Sequence, residues 1–231
     1  MRVSLIICFL IAFSMESFSQ EEKAKEIDSL YKEDQFYAGV TYNILGNKPT
    51  NVSQTGFSLG FHLGFIKDMP INTNRNVAIG VGIGYSANTF NHNLQISKDN
   101  IGGFKYNILN DGSLYSRNKF SQHLVELPLE FRWRTSNATK YDFWRIYTGF
   151  KFSYVFANTT KYVGKPESLK FNGIDAFNKF QYGLTFSAGY NTWNFYVYYA
   201  LNPIFLNDAN LTDGNDINMK AIKIGLMFYI L

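Results

Sequence analysis

From Phe36 onward the chain keeps a two-residue rhythm, and no other feature limits its fold so strongly. In "FQYGLTFSAGYNTW", Phe180, Tyr182, Leu184, Phe186, Ala188 and Tyr190 share one parity, against Gln181, Gly183, Thr185, Ser187, Gly189 and Asn191. "TGFSLGFHLGF" sets Phe57, Leu59, Phe61, Leu63 and Phe65 against Gly56, Ser58, Gly60, His62 and Gly64. "NVAIGVGIGYSANTF" sets Val77, Ile79, Val81, Ile83 and Tyr85 against Ala78, Gly80, Gly82, Gly84 and Ser86. Successive side chains of a strand point to opposite faces, so this rhythm specifies strands with one bulky apolar face and one slender polar face. An aromatic content of 18% with only 17% charged residues fits the same reading, because aromatic residues favour pleated surfaces.

The rhythm recurs in eight segments, roughly 36–45, 55–68, 76–95, 120–135, 144–162, 180–193, 194–205 and 218–231. The connections after the second, fourth and sixth, "PINTNRN", "SNATKYDF" and a tight turn at 192–194, are short. Those near 46–54, 96–119, 163–179 and 206–217 are long. An even strand count with alternating short and long connections is the pattern of an outer-membrane barrel whose short turns face the periplasm. A soluble sandwich or a lipocalin-like barrel also alternates, but buries its apolar face. Here the apolar faces carry more volume than a small lumen holds, whereas the Gly/Ser/Thr/Asn faces suit a narrow polar interior. The expected fold is all-β, an eight-stranded antiparallel transmembrane β-barrel over 36–231, with both termini periplasmic and the apolar wall against outer-membrane lipid.

The first residues read as an export signal. Arg2 precedes the apolar run "SLIICFLIAF", and small residues at Ser17 and Ser19 place cleavage before Gln20, giving a signal peptide over 1–19. Cys8 follows "LII", but the bulky Ile7 and the continuing apolar run argue against lipidation. Cleavage removes the sole cysteine, and with it any disulfide, thiolate metal site or cysteine nucleophile. Residues 20–35, "QEEKAKEIDSLYKEDQ", are charged and helix-prone, a periplasmic lead-in. The net charge of +4 is dispersed and lacks the basic runs that track phosphates, so nucleic acid is not an expected partner.

Candidate chemistry is sparse. "GVGIG" at 80–84 precedes no amphipathic helix, so it does not form a dinucleotide loop. In "DANLTDGND" the glycine falls one position late for a calcium loop counted from Asp208, and Met219 stands at the twelfth position, leaving an exposed loop as the expectation. His62, His92 and His123 lie in separate segments. His92, with Ser97 and Asp99, marks a rim where an outer-membrane hydrolase would place its site. No cofactor, metal site or small-molecule substrate is indicated. The distinctive charges are in "HLVELPLEFRWR", where Val125, Leu127, Leu129, Phe131 and Trp133 share one face and Glu126, Glu130, Arg132 and Arg134 the other. Arg145 and Lys151 of the next strand join them. Buried charges demand partners, so these six residues are expected to form one structural Glu–Arg/Lys network filling the lumen. A polar path for an ion or small solute is the alternative.

"DSLYKEDQFYAGVTYN" (28–43), "GFIKDMPIN" (64–72), "RNVAIGVGIGY" (75–85), "HLVELPLEFRWR" (123–134) and "FWRIYTGFKFSYVF" (143–156) resemble the PorT family, called SprT in gliding flavobacteria. These are small outer-membrane barrels of Bacteroidetes, and the resemblance covers essentially the whole mature chain. "FYAGVTYNIL" departs from the "GxKGGxN"-like opening frequent in the wider superfamily. The resemblance implies a non-enzymatic role in type IX protein secretion and gliding motility, with other components of that machinery as partners and no catalytic residues to carry over. Two other classes stay open: a stand-alone small porin or surface-binding barrel of the OmpA or OmpX type, and a rim-sited hydrolase.

Overall fold

The computed structural model describes residues 33–99, 103–110, 114–135, 143–212 and 214–230. The expected signal peptide over 1–19 and most of the expected lead-in over 20–35 lie outside the described residues. Eleven strands run in chain order as β1 (Gln35–Gly46), β2 (Leu59–Pro70), β3 (Val77–Asn91), β4 (Leu94–Lys98), β5 (Phe104–Ile108), β6 (Tyr115–Arg134), β7 (Trp144–Gly164), β8 (Leu169–Asn172), β9 (Phe180–Tyr190), β10 (Trp193–Ala200) and β11 (Lys220–Ile230). Eight of them close a barrel in the order β1-β2-β3-β6-β7-β9-β10-β11 and back to β1, every neighbour antiparallel. Closure leaves no edge, which is what lets strands sit in hydrocarbon with every backbone group paired. These eight match the expected segments. The additions are the β4–β5 hairpin and β8, which extend the long-loop end and carry too few residues each for a legible rhythm.

Side-chain parity sorts the wall from the lumen. Leu63 and Ile83 are 55% and 59% exposed, while Arg132 and Arg134, on the opposite face of β6 from Phe131 and Trp133, are 0% exposed. The three tryptophans, Trp133, Trp144 and Trp193, lie on the wall at the short-turn end with Phe36 and Tyr190. Tyr85, Tyr154 and Phe156 mark the other margin, where Tyr85 bonds outward-facing His123 (Oη to Nδ1, 2.6 Å). Aromatic girdles at both margins are the mark of a lipid-facing band. The β6–β7 ladder carries a bulge between His123 and Leu124. It switches the parity of β7, so that Thr160 and Tyr162 face inward where odd-numbered residues do below it.

Candidate functional site: the barrel interior

The lumen is layered from one end to the other. At the long-loop end the inward face turns from polar to aromatic one step above Asn88 and Gln122, at Phe90 and Phe120, whose rings stack at 4.9 Å. Phe177 and Phe205 stack at 4.7 Å against Phe120. Val52, Leu94, Ile96, Tyr106, Ile174, Ala209, Leu211, Ile217 and Met219 complete an apolar cap drawn from all four long connections. The loop expected to be exposed at 208–216 is exposed only in part: Ala209 and Leu211 are buried while Asp208 and Asp216 stay outside. Burying the two apolar side chains removes apolar area from water that the loop would otherwise expose. Among the described residues, no group of three His, Cys, Asp or Glu side chains is placed to hold a metal.

Below the cap, Thr41 Oγ1 donates to Asn43 Oδ1 at 2.9 Å and lies 3.1 Å from His62 Nε2. Lys151 Nζ donates to Glu126 Oε2 at 2.8 Å, with His62 Nδ1 3.5 Å from the same oxygen. Lys151 and Lys223 rest over the rings of Tyr196 and Tyr198 at 5.1 and 4.9 Å. Room for the neighbouring Tyr37 ring comes from glycines on the adjoining strands β2 and β3. Gly64 and Gly84 are cross-strand partners; a Cβ on Gly64 would stand 2.6 Å from Tyr37 Oη, and one on Gly84 would overlap the same hydroxyl. The slender face of "VAIGVGIG" is thus the space that Arg132, Ile66 and Tyr37 occupy, at Gly80, Gly82 and Gly84 in turn.

The lumen at the short-turn end holds Arg132, Arg134 and Arg145, all buried. Asp68 binds two of them, Arg132 Nη1 at Oδ1 and Arg134 Nη1 at Oδ2, both at 2.8 Å. Glu33 lies 3.9 Å from Arg134 and 3.7 Å from Arg145, accepts from Arg132 through its carbonyl at 3.2 Å, and gives its amide to Asp68 at 3.2 Å. Arg132 also donates to Gln35 Oε1, approaches Glu130 at 3.7 Å, and stacks over Tyr147 at 4.2 Å. Arg145 donates to the Asn191 carbonyl at 2.7 Å. Arg134 and Arg145 face each other directly in the β6–β7 register. Two opposed guanidinium groups are tolerable there because Glu33 reaches both and Asp68 holds Arg134.

The six charged residues expected to form one lumen network are all buried, and their ion pairs fall into two groups. Glu130, Arg132, Arg134 and Arg145 belong to the short-turn cluster; Glu126 and Lys151 form a separate pair in the middle. Glu33, Asp68 and His62 complete the two clusters and were not expected in them. A signal existed: four cations against two carboxylates left two charges uncompensated. Asp68 shares the parity of His62 and Gly64, and so belongs to the lumen face. Glu33 belongs to the stretch read as lead-in, and no periodicity announces that it enters the barrel mouth.

The histidines stay apart. His62 is mid-lumen, and His123 is on the wall. His92 lies in the apolar cap, where the Leu94 amide donates to its Nδ1 at 3.0 Å, and burial pulls its imidazole down to about 3. Asp99 accepts from the Gly103 amide at 2.7 Å. Neither Ser97 nor Asp99 is hydrogen-bonded to His92, so the geometry does not assemble a nucleophile, base and orienting group there.

Comparison with known proteins bears on the same architecture. A family described as outer membrane protein beta-barrel domain matches residues 18–206. Among solved structures, Ail, the attachment invasion locus protein of Yersinia pestis, aligns over 87% of this chain and 100% of its own at 11% identity, with a TM-score of 0.33. A search of curated proteins finds no match.

Proposed function

Because the chain belongs to the outer membrane protein beta-barrel family, we propose that it acts in that membrane as a non-enzymatic component of type IX protein secretion and gliding motility. In this reading a cleaved signal peptide exports it, both termini face the periplasm, and it works through its surfaces. The observation that carries the reading is Glu33, held between Arg134 and Arg145. That clamp fixes the chain leading into β1 at the mouth of a barrel whose lumen is crossed by charged and aromatic side chains. An eight-stranded barrel filled in this way has no room to pass a polypeptide. A lead-in anchored at the mouth is a docking element for periplasmic or membrane components. The resemblance to the PorT family over 28–43 and 64–72 names the machinery.

The test is gene deletion followed by complementation with the full chain and with a chain lacking 21–32. Secretion of type IX substrates should fail in the deletion strain and recover only with the full chain. Unchanged secretion in the deletion strain removes the proposal.

A second reading, a surface-binding barrel, draws support from the cap, which knits all four long connections into one folded unit. Replacing 96–119 or 163–179 would then abolish ligand or cell binding while leaving secretion intact. The porin variant is disfavoured by the aromatic cap and the arginine cluster closing opposite ends of the lumen.

A further inference from the structure

Just beyond the Tyr85–His123 margin, the outward face of the barrel becomes polar at Thr89 and Ser121, whose hydroxyls meet at 3.0 Å. One step further, the ladder places three lysines in a single row: Lys119 opposite Lys161, and Lys161 opposite Lys170. Arg117 follows Lys119 on the same face of β6. The row ends at Asn91, the β3 partner of Lys119, and the residues flanking it on this face, Ser121, Thr159 and Asn172, are neutral. Among the described residues, none of the four cations is ion-paired with a carboxylate. Like charges directly opposite one another destabilise a sheet. In the lumen the same problem, Arg134 facing Arg145, is met with two internal acids; on this face the described residues supply none.

We infer that this row is a binding surface for the phosphate groups of a glycolipid headgroup in the outer leaflet of the membrane. The inference rests on the outer-membrane reading, with the long connections outward, and is independent of the secretion role. The position selects the occupant. The lysines stand immediately above the aromatic margin of the lipid band, the depth at which headgroup phosphates lie. Their stems cross that margin while their ammonium groups stay at the polar level. Spread over β6, β7 and β8, the row presents several point charges in one line, which suits a headgroup with more than one phosphate.

The experiment titrates the full chain, folded in zwitterionic detergent micelles, with bis-phosphorylated lipid A, dephosphorylated lipid A and inorganic phosphate. Retention is read by native mass spectrometry. Bis-phosphorylated lipid A should be retained and the dephosphorylated form lost. The Lys119→Gln/Lys161→Gln/Lys170→Gln variant should bind about a hundredfold more weakly, since each basic residue at an anionic headgroup layer contributes roughly fivefold. Lys67→Gln, at the opposite end of the wall, should bind as the parent does, and heat-modifiable migration checks that each variant is folded. Equal retention of both lipids, an unchanged affinity in the triple variant, or full competition by millimolar inorganic phosphate would each overturn the inference. Type IX secretion by the triple variant, measured in parallel, separates this outcome from the fate of the secretion proposal.

Discussion

Asp68 and Arg132 meet at 2.8 Å with neither side chain exposed, and the second oxygen of Asp68 holds Arg134 at the same distance. One carboxylate at the end of β2 therefore bridges two guanidinium groups brought from β6. Asp68→Asn should destabilise the barrel by about 3–5 kcal/mol, because it leaves buried cations short of a counter-charge. Urea unfolding in lipid vesicles, followed by tryptophan fluorescence, measures this. An effect below about 1 kcal/mol would mean that water reaches the cluster freely.

The mid-lumen pair Lys151–Glu126 should behave as a unit. Lys151→Met alone strands the Glu126 carboxylate, whereas Lys151→Met with Glu126→Leu removes both charges. The double variant is expected to be more stable than Lys151→Met. A double-mutant cycle on unfolding midpoints decides it, and additive losses would contradict the pairing.

Gly84→Ala should cost about 1–3 kcal/mol, since the new methyl enters the space of the Tyr37 hydroxyl. Adding Tyr37→Phe should recover part of the loss and not all, because the ring remains 3.0 Å away at Cζ. Recovery by Tyr37→Phe would not occur if the strain lay only in the backbone of β3.

His92 gives the loop cap a pH dependence with a defined sign. Its folded value of about 3 lies below the ordinary 6.5. Above pH 6.5 the ring is neutral in both states and the cap has its full stability. Below that, the unfolded loop takes up a proton that the folded cap refuses until about pH 3. Stability is therefore lost as pH falls, by up to about 1.4 kcal/mol per unit. Hydrogen exchange at Leu94 and Ile96 should accelerate between pH 7 and pH 5, after correction for intrinsic rates, and His92→Phe should flatten that change.

Planar bilayers containing the purified chain should show no steady single-channel current, since the aromatic cap and the arginine cluster obstruct the lumen at its two ends. Regular stepwise conductance would favour the porin reading.

The sequence by itself determined the eight barrel strands, their order and their inward and outward faces, and so the parity that Glu126, Glu130, Arg132 and Arg134 share. A two-residue rhythm is local, and the wall of a closed barrel repeats it without interruption. It also required, by charge count, that further acids be present. Which acids only the tertiary structure decided. Asp68 reaches Arg132 across β3, and Glu33 arrives from outside the periodic region altogether. The long connections were opaque for the same reason. Leu211, Ile217 and Phe205 follow no period, and their burial depends on meeting Phe90 and Phe120 at the rim, a contact set by closure. The row Lys119–Lys161–Lys170 was equally hidden, because register across three strands is fixed by the bulge at His123 and the β7–β8 connection, and neither is written in the alternation.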